Sequence, residues 1–326
     1  GAPIAGPYIM AEGRKGALGA KLMAMVAESE TGRVYLPPNS DLERLARHAQ
    51  PEWQPDEEFF QQALGFRVGN YGLTQWSDLF TSRQLVAMST FSDVITEAIA
   101  KVRLDAAAVF GESAVEHSRE YSRAVALYLG CALSRLATYN NTICVWNMRG
   151  GSVAQIFGRQ TISMSWDFIE INPLEKVSGN WTGAIEWIAD VVQSLPSTPS
   201  GYAVQLDAIS YEDINDEFVI STDPPYYDNI GYADLSDFFY VWLRRALKPS
   251  YPDLFETIAV PKDTELVATP ARHGGKVAAE EFFLDGMTQA MQGLSKASHP
   301  SFPITIYYAF KQSETDSKEG TSSTGW

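Results

Sequence analysis

A short apolar run that ends in two consecutive prolines constrains the fold of this chain more than any other feature. Phe218–Ile220 has the composition of a parallel-sheet strand that is buried on both faces. Pro224 and Pro225 stop this strand, because proline cannot donate to a sheet ladder and restricts the residue before it. A helix is predicted to open at Asp234. This order indicates an open α/β sheet, in which ligands bind at the carboxyl ends of the strands.

The tetrapeptide Asp223–Tyr226 would present a carboxylate, two backbone carbonyls and an aromatic ring at the end of that strand. The exocyclic amine of adenine or cytosine is a poor nucleophile, because its lone pair is delocalised into the ring. The Asp223 carboxylate and the Pro224 carbonyl can accept both amine hydrogens and free the lone pair to attack an electrophilic methyl group. Tyr226 can stack on the base, which contributes about 1–3 kcal/mol, and a base in a duplex must flip out to reach such a site. The alternative is a Pro-Pro turn in which Asp223 caps a loop and Tyr226 packs at the rim.

The same residues resemble a known catalytic motif. Asp223–Tyr226 resembles the motif of amino-methyltransferases that use S-adenosylmethionine, and the run Thr222–Leu243 resembles adenine-specific DNA methylases that contain a zinc ribbon and a domain of unknown function, DUF1156. The resemblance extends over most of the chain through Tyr71–Thr74, Asp78–Leu85 and Phe157–Gln160. It implies a Rossmann-like fold, S-adenosylmethionine as cofactor, a flipped adenine in DNA as substrate, and four catalytic residues: Asp223, Pro224, Pro225 and Tyr226.

The chain departs from this family pattern at its cysteines and glycines. Cys131 and Cys144 are too far apart for a zinc ribbon, so two buried thiols in a reducing cytoplasm are expected. The glycine-rich loop that cradles the cofactor is missing, as is the acidic residue after it. Gly13, Gly16 and Gly19 have the wrong spacing and no preceding strand, which indicates a flexible basic segment. We therefore expect a catalytic-side fragment that does not hold its cofactor alone.

Asp207 is the candidate cofactor-binding residue. It follows a candidate strand, Tyr202–Leu206, that precedes the catalytic strand. This position resembles the methyltransferase position that touches the adenine of the cofactor, and a hydrogen-bonded loop aspartate is the alternative. Together with Phe218–Thr222 and a buried strand over Ile304–Phe310, the candidate strand predicts part of a doubly wound sheet.

Hydrophobic periodicity divides the chain near residue 200. Residues 1–200 are predicted to form a mostly helical accessory region, and Pro196–Gly201 a turn-rich break. Residues 201–326 are predicted to form an incomplete catalytic core. The second and third of the accessory helices should pair as an antiparallel hairpin. The predicted accessory helices are Asp41–Gln50, Thr81–Ala108, Ser113–Thr138 and Trp181–Leu195.

Two helices are predicted in the catalytic core. The helix that opens near Asp234 should pack on the sheet through a buried stripe and end at Lys248-Pro249. A second helix is predicted around Phe282–Leu294. The stripe of the first helix is predicted to contain Leu235, Phe238, Phe239, Trp242 and Ala246.

The net charge of −15 argues against a general nucleic-acid-binding surface, so contacts with DNA would have to be local. The loop 256–276 is locally basic and flexible, through Lys262, Arg272 and Lys276, and it either closes over the flipped nucleotide or is a plain surface loop. Arginines on the two long helices could meet phosphates or could pair with Glu116 and Glu120. These arginines are Arg83, Arg119, Arg123 and Arg135.

Several classes of protein are disfavoured. The sequence contains no apolar run of about 18 residues and no signal-peptide pattern, which indicates a cytoplasmic location and no membrane partner. The four histidines are isolated, so no metal site is expected. Two alternatives to a DNA methyltransferase remain: an enzyme that methylates RNA or a protein glutamine, and a non-enzymatic module that binds DNA or the other subunits of a phage-defence or restriction system.

Overall fold

The described part of the chain is a mixed α/β protein in which helices predominate. The computed structural model describes residues 4–111, 115–196, 198–199, 201–210, 217–228 and 230–308. In these residues the strands form three two-stranded sheets. The α-helices are α1 (Gly6–Arg14), α2 (Ser40–Ala46), α3 (Ser82–Phe110), α4 (Val115–Tyr139), α5 (Trp181–Ser194), α6 (Tyr232–Leu247) and α7 (Lys276–Ala297). The strands are β1 (Met25–Ser29), β2 (Gly32–Leu36), β3 (Val145–Asn147), β4 (Ser152–Ala154), β5 (Ser221–Thr222) and β6 (Thr305–Ile306).

The chain divides into two compact units. The first unit comprises Gly1–Pro196 and Asp234–Val260, and the second comprises Ser197–Ala233 and Pro261–Trp326. The chain therefore leaves the first unit, returns to it for most of α6, and leaves it again. The predicted division into 1–200 and 201–326 stays a prediction.

Helices α3 and α4 form the predicted antiparallel hairpin in the first unit. Thr81 caps α3, because its side chain accepts the Gln84 N–H while its own N–H donates to the Gln84 side chain. At one end of the hairpin, the Phe110 ring lies 6.1 Å from the Tyr121 ring. At the other end, the Thr142 N–H donates to the Leu79 carbonyl at 2.8 Å. The period of apolar residues therefore predicted this hairpin correctly.

Helix α6 buries its aromatic stripe among other aromatic residues of the first unit. Phe238 stacks on Phe80 with ring centroids 5.8 Å apart, and the Trp242 ring meets Trp53 at 5.6 Å. Phe238 and Trp242 are fully buried, and the helix ends at Leu247, before Pro249, as predicted. The expectation that this stripe would pack on a sheet is wrong. An apolar stripe specifies that a helix is buried, but it does not specify what covers it.

The N-terminal region contains structure that the sequence did not predict. The hairpin β1–β2 was not expected, and α1 occupies part of the segment that was interpreted as flexible. Gly13 is buried in α1, and a Cβ at this position would overlap the carbonyl oxygen of Tyr71. Gly72, with φ +87°, makes the reciprocal backbone contact with the carbonyl of Gly13. The glycine at position 13 thus serves close packing and not flexibility.

The two cysteines lie in different environments. Cys144 is buried as predicted, and burial raises the pKa of its thiol to about 12. Cys131 is exposed on α4, so the prediction that it is buried is wrong. Cysteine composition indicates a preference for burial, but the face of α4 that carries residue 131 is not covered in the described part of the chain.

The second unit contains a parallel pair of strands. Ser221 pairs with Thr305 and Thr222 with Ile306, and an isolated parallel bridge joins Phe218 to Ser298. Two of the predicted strands therefore pair in parallel, although each is shorter than expected.

The predicted burial of these strands is wrong. Phe218 is 45% exposed, Val219 is 67% exposed and Ile306 is 48% exposed. The segment Tyr202–Leu206 is exposed and forms no strand, which corrects a further prediction. Apolar composition indicates a strand that could be buried, but burial requires neighbouring strands and helices. The described residues pair only β6 with β5 in this sheet.

Candidate active site

The Asp-Pro-Pro-Tyr motif directly follows β5, at the carboxyl end of a strand in a parallel pair. Asp223 is exposed, and Pro224, Pro225 and Tyr226 are half-buried. The Tyr226 O–H lies 3.5 Å from Asp223 Oδ1 and donates to it. The carboxylate is therefore accessible from solvent and lies beside the aromatic ring that the sequence paired with it.

Tyr226 packs against an aromatic residue that follows β6. Its ring meets the Tyr308 ring edge to face, with centroids 5.7 Å apart and an interplanar angle of 89°. Because Tyr226 is only half-buried, part of its ring remains accessible to a partner. The parallel pairing of β5 with β6 explains this contact, since it brings the ends of both strands to the same edge.

Tyr227 anchors the motif loop to the rest of the second unit. Its carbonyl accepts the Ala268 N–H at 2.7 Å, and its hydroxyl donates to Glu280 at 2.9 Å. Its ring meets Phe283 at 5.2 Å, and its N–H donates to the Tyr308 hydroxyl at 3.3 Å. Burial raises the pKa of the Tyr227 phenol, and Glu280 adds to the shift. The two successive tyrosines of the loop therefore differ in role: Tyr226 keeps part of its ring accessible, and Tyr227 holds the loop in place.

Tyr232 is a second aromatic neighbour of the motif. Burial raises the pKa of its phenol, and the nearby Tyr226, Asp223 and Glu265 raise it further. These shifts show that Tyr232 lies close enough to the motif to interact with it electrostatically. Neither Tyr227 nor Tyr232 was identified as a site residue from the sequence. The one available signal was that several tyrosines lie close to the motif in the sequence. This signal does not show which tyrosine holds the loop and which one contacts a ligand.

A buried ion pair fixes the segment that was predicted to be a flexible basic loop. Arg272 Nη1 lies 2.7 Å from Glu265 Oε2, and the two side chains are 9% and 12% exposed. Glu265 Oε1 also accepts the N–H of Ala233, in the first turn of α6, at 2.8 Å. Residues 266–269 between the partners are buried. The flexibility predicted for this part of loop 256–276 is wrong, because Arg272 is committed to a structural pair.

The other two basic residues of this loop are placed differently. Lys276 is 80% exposed at the start of α7, and its Nζ lies 3.8 Å from Glu280. Lys262 lies at the start of the segment, and its carbonyl accepts a hydrogen bond from Arg272 at 3.5 Å. The idea that this loop covers a flipped nucleotide stays a prediction, with Lys276 as its exposed cation.

Asp207 lies in an exposed loop. Its Oδ1 accepts the Ile209 N–H at 3.0 Å, and its carbonyl accepts the Ser210 N–H at 3.0 Å. This is the geometry of an aspartate that stabilises its own turn. It matches the alternative that the sequence left open, and the cofactor-binding role of Asp207 stays a prediction.

Three of the four arginines on or near the long helices pair with carboxylates. Arg83 donates to both oxygens of Glu170, at 2.5 and 2.6 Å. Arg119 and Arg123 pair with Glu116 and Glu120 at 3.5 and 3.1 Å, as one alternative predicted. The fourth, Arg135, stacks over the Trp187 ring at 4.5 Å.

Wider comparisons add no family assignment. Among the described residues there is no group of three or more histidine, cysteine or acidic side chains that could hold a metal ion. None of the helices that these residues form is both long and apolar enough to cross a membrane. Family models, curated proteins and solved structures give no match to this chain. The relationship to zinc-ribbon adenine methylases therefore stays a prediction that rests on the motif residues.

Proposed function

We propose that this chain is part of an S-adenosylmethionine-dependent methyltransferase that acts on the exocyclic amine of a base, namely a flipped adenine in DNA. The proposal includes a Rossmann-like sheet to which β5 and β6 belong, and a cytoplasmic location. One observation carries it. An exposed carboxylate, a rigid proline pair and an accessible tyrosine ring lie together at the carboxyl end of a parallel strand. That edge is where open α/β sheets bind their ligands.

The motif residues would each act on the target amine. The Asp223 carboxylate and the Pro224 carbonyl accept its two hydrogens, which returns the lone pair to nitrogen. Pro225 stiffens the loop, because its ring fixes one backbone torsion and brings no competing N–H. Tyr226 stacks on the base through its accessible part, and Tyr227 holds the loop through Ala268 and Glu280.

The rate enhancement would come mainly from orientation. Aligning the nitrogen with the methyl group can supply about 7–11 kcal/mol of the barrier. S-adenosylmethionine supplies the electrophilic methyl group when it is bound. An exposed carboxylate such as that of Asp207 suits an amine or hydroxyl donor of the cofactor. No strong general base is needed, because an alkylated exocyclic amine loses its proton readily.

Methyl transfer from labelled S-adenosylmethionine tests this proposal. The intact protein that contains this chain is incubated separately with DNA, RNA and a protein mixture, and label is expected in adenine of DNA. Asp223→Ala should abolish this incorporation. The control is Asp228→Ala, which removes another exposed carboxylate from the same loop.

Each other outcome counts against a defined part of the proposal. Label in RNA or in protein glutamine would show that the enzyme methylates a substrate other than DNA. Label in DNA that survives Asp223→Ala would remove the motif from the mechanism. No label in any fraction, with folded protein and a positive control enzyme, would favour the non-enzymatic alternative.

A further inference from the structure

A cavity in the first unit is lined by three arginines. It lies between the middle of α3, the first turns of α4 and the residues that follow α6, and its volume is about 340 Å³. Arg103 reaches it from α3, and Arg119 and Arg123 reach it from α4. This volume would accommodate a phosphate group together with a sugar or a second phosphate.

The charge of this cavity opposes the charge of the chain. The sequence contains 40 acidic and 25 basic residues. The cavity is nevertheless lined by three arginines and by no aspartate or glutamate. Its remaining polar lining consists of hydroxyl groups, from Thr96, Ser122 and Ser250. The Ser122 hydroxyl donates to the Arg119 carbonyl at 2.8 Å, and the Thr96 hydroxyl lies 3.5 Å from the carbonyls of Ser92 and Ala246. A cationic cavity in an acidic protein points to an anionic ligand.

Arg123 carries a buried donor at this cavity. Its Nε is buried and has no hydrogen-bond acceptor in the described part of the chain. Its Nη1 contacts Glu120 at 3.1 Å, and its guanidinium lies over the Tyr251 ring at 4.7 Å. The ring and the carboxylate hold the guanidinium in place before any ligand arrives.

The two glutamates on α4 balance the arginines only in part. Arg119 and Arg123 each contact a glutamate three residues earlier through Nη1 alone, and both glutamates are more than half exposed. Arg103 forms none of the ion pairs found among the described residues. Exposed pairs of this kind are weak, so an anion that meets all three guanidiniums can compete with them.

We propose that the cavity formed by Arg103, Arg119 and Arg123 binds a phosphate group, from either a nucleic-acid backbone or a free nucleotide. Phosphate suits it better than a carboxylate, because three guanidinium groups match a larger negative charge and more acceptor oxygens. The Ser250 hydroxyl can supply a further donor. This site is independent of the proposed methyl transfer, since every residue in it belongs to the first unit.

Binding measurements on the full chain test this site. Inorganic pyrophosphate and adenosine monophosphate are titrated by calorimetry, and a fluorescein-labelled single-stranded oligonucleotide by anisotropy at several salt concentrations. Binding of at least one probe is expected. Arg103→Gln and Arg119→Gln should each weaken it by about tenfold or more, as expected for a charge-assisted hydrogen bond. For the oligonucleotide, the slope of the logarithm of the binding constant against the logarithm of the salt concentration should also become shallower in each variant, by the amount expected for the loss of about one phosphate contact.

Two further variants separate this site from general electrostatics. Arg47→Gln removes an exposed charge at the C-cap of α2, where Arg47 pairs with Glu43 at 2.9 Å, and should leave binding unchanged. Glu120→Gln removes the carboxylate that contacts Arg123 and should strengthen binding severalfold. If only the oligonucleotide binds, the cavity is a nucleic-acid site. If only the small phosphates bind, it is a nucleotide site. Binding of no probe, or equal losses in Arg103→Gln and Arg47→Gln, would overturn the proposal.

Discussion

Removing Arg272 should strand a buried negative charge and destabilise the second unit. The side chains of Arg272 and Glu265 are 9% and 12% exposed and lie 2.7 Å apart. In Arg272→Met, the Glu265 carboxylate would remain buried without its cation. Breaking a buried pair in this way costs about 3–5 kcal/mol, much more than the pair itself contributes. We expect a loss of this size in the free energy of unfolding of the second unit.

Amide hydrogen exchange is the appropriate assay. Peptides that cover residues 262–275 report the opening of this segment, and peptides from the start of α6 report Ala233, whose N–H donates to Glu265. Exchange in both should accelerate in Arg272→Met. The control is Arg47→Met, which breaks a pair whose arginine is 70% exposed and should change stability by less than about 1 kcal/mol.

A double variant tests the physical cause. In Arg272→Met with Glu265→Gln, the side chain at 265 is neutral and keeps an acceptor for the Ala233 N–H. Most of the lost stability should return, because no unpaired charge is left in the interior. If the double variant is as unstable as Arg272→Met, the stranded charge is not the cause. If Arg272→Met is as stable as the parent, the pair is not buried in solution.

Four further predictions follow from burial. Phe238→Ala should destabilise the first unit by about 3–5 kcal/mol in urea unfolding, because Phe238 is fully buried. Val219→Ser should change stability by less than about 0.5 kcal/mol, because Val219 is 67% exposed, and a larger loss would mean that this strand is covered. With a thiol reagent, Cys131 should react in the native protein and Cys144 only after unfolding, which Cys131→Ser checks. Folding raises the pKa of Cys144 from 9.0 to about 12, so stability should fall as the pH rises between these values, and less steeply in Cys144→Ala.

The long helices could be predicted from the sequence because their signals are local. In α3 the capping pair Thr81 and Gln84 lies within four residues, and the apolar period continues for several turns. In α5 the Asn180 side chain accepts the Gly183 N–H and so caps the helix from the residue just before it. Such features depend on neighbours in the chain, so they hold whatever the rest of the protein does.

Strand burial could not be predicted in the same way. Phe218 and Val219 have the composition of a buried strand, yet they are largely exposed in the described residues. Whether a strand is covered depends on elements far away in the sequence. The same limit explains why α6 was predicted to pack on a sheet, although Phe80 and Trp53 cover it.

The motif of the candidate site could be predicted from the sequence, but the residues that hold the motif loop in place could not. Asp223 and Tyr226 were identified from four consecutive residues, and the structure brings their side chains within 3.5 Å. The supports of the loop are Ala268 and Glu280, which contact Tyr227 from 41 and 53 positions further along the chain. No local pattern marks a single backbone amide or glutamate as a partner of a distant tyrosine.

The contact between Gly13 and Gly72 has a consequence for how this protein can vary. Backbone meets backbone there, so a side chain larger than hydrogen at either position would force the two segments apart. The exposed positions of α1 can vary more freely during evolution than Gly13. Any larger residue at either glycine would separate the two segments at once. Substitution is therefore most restricted at two positions, Gly13 in α1 and Gly72 in the segment against which it packs.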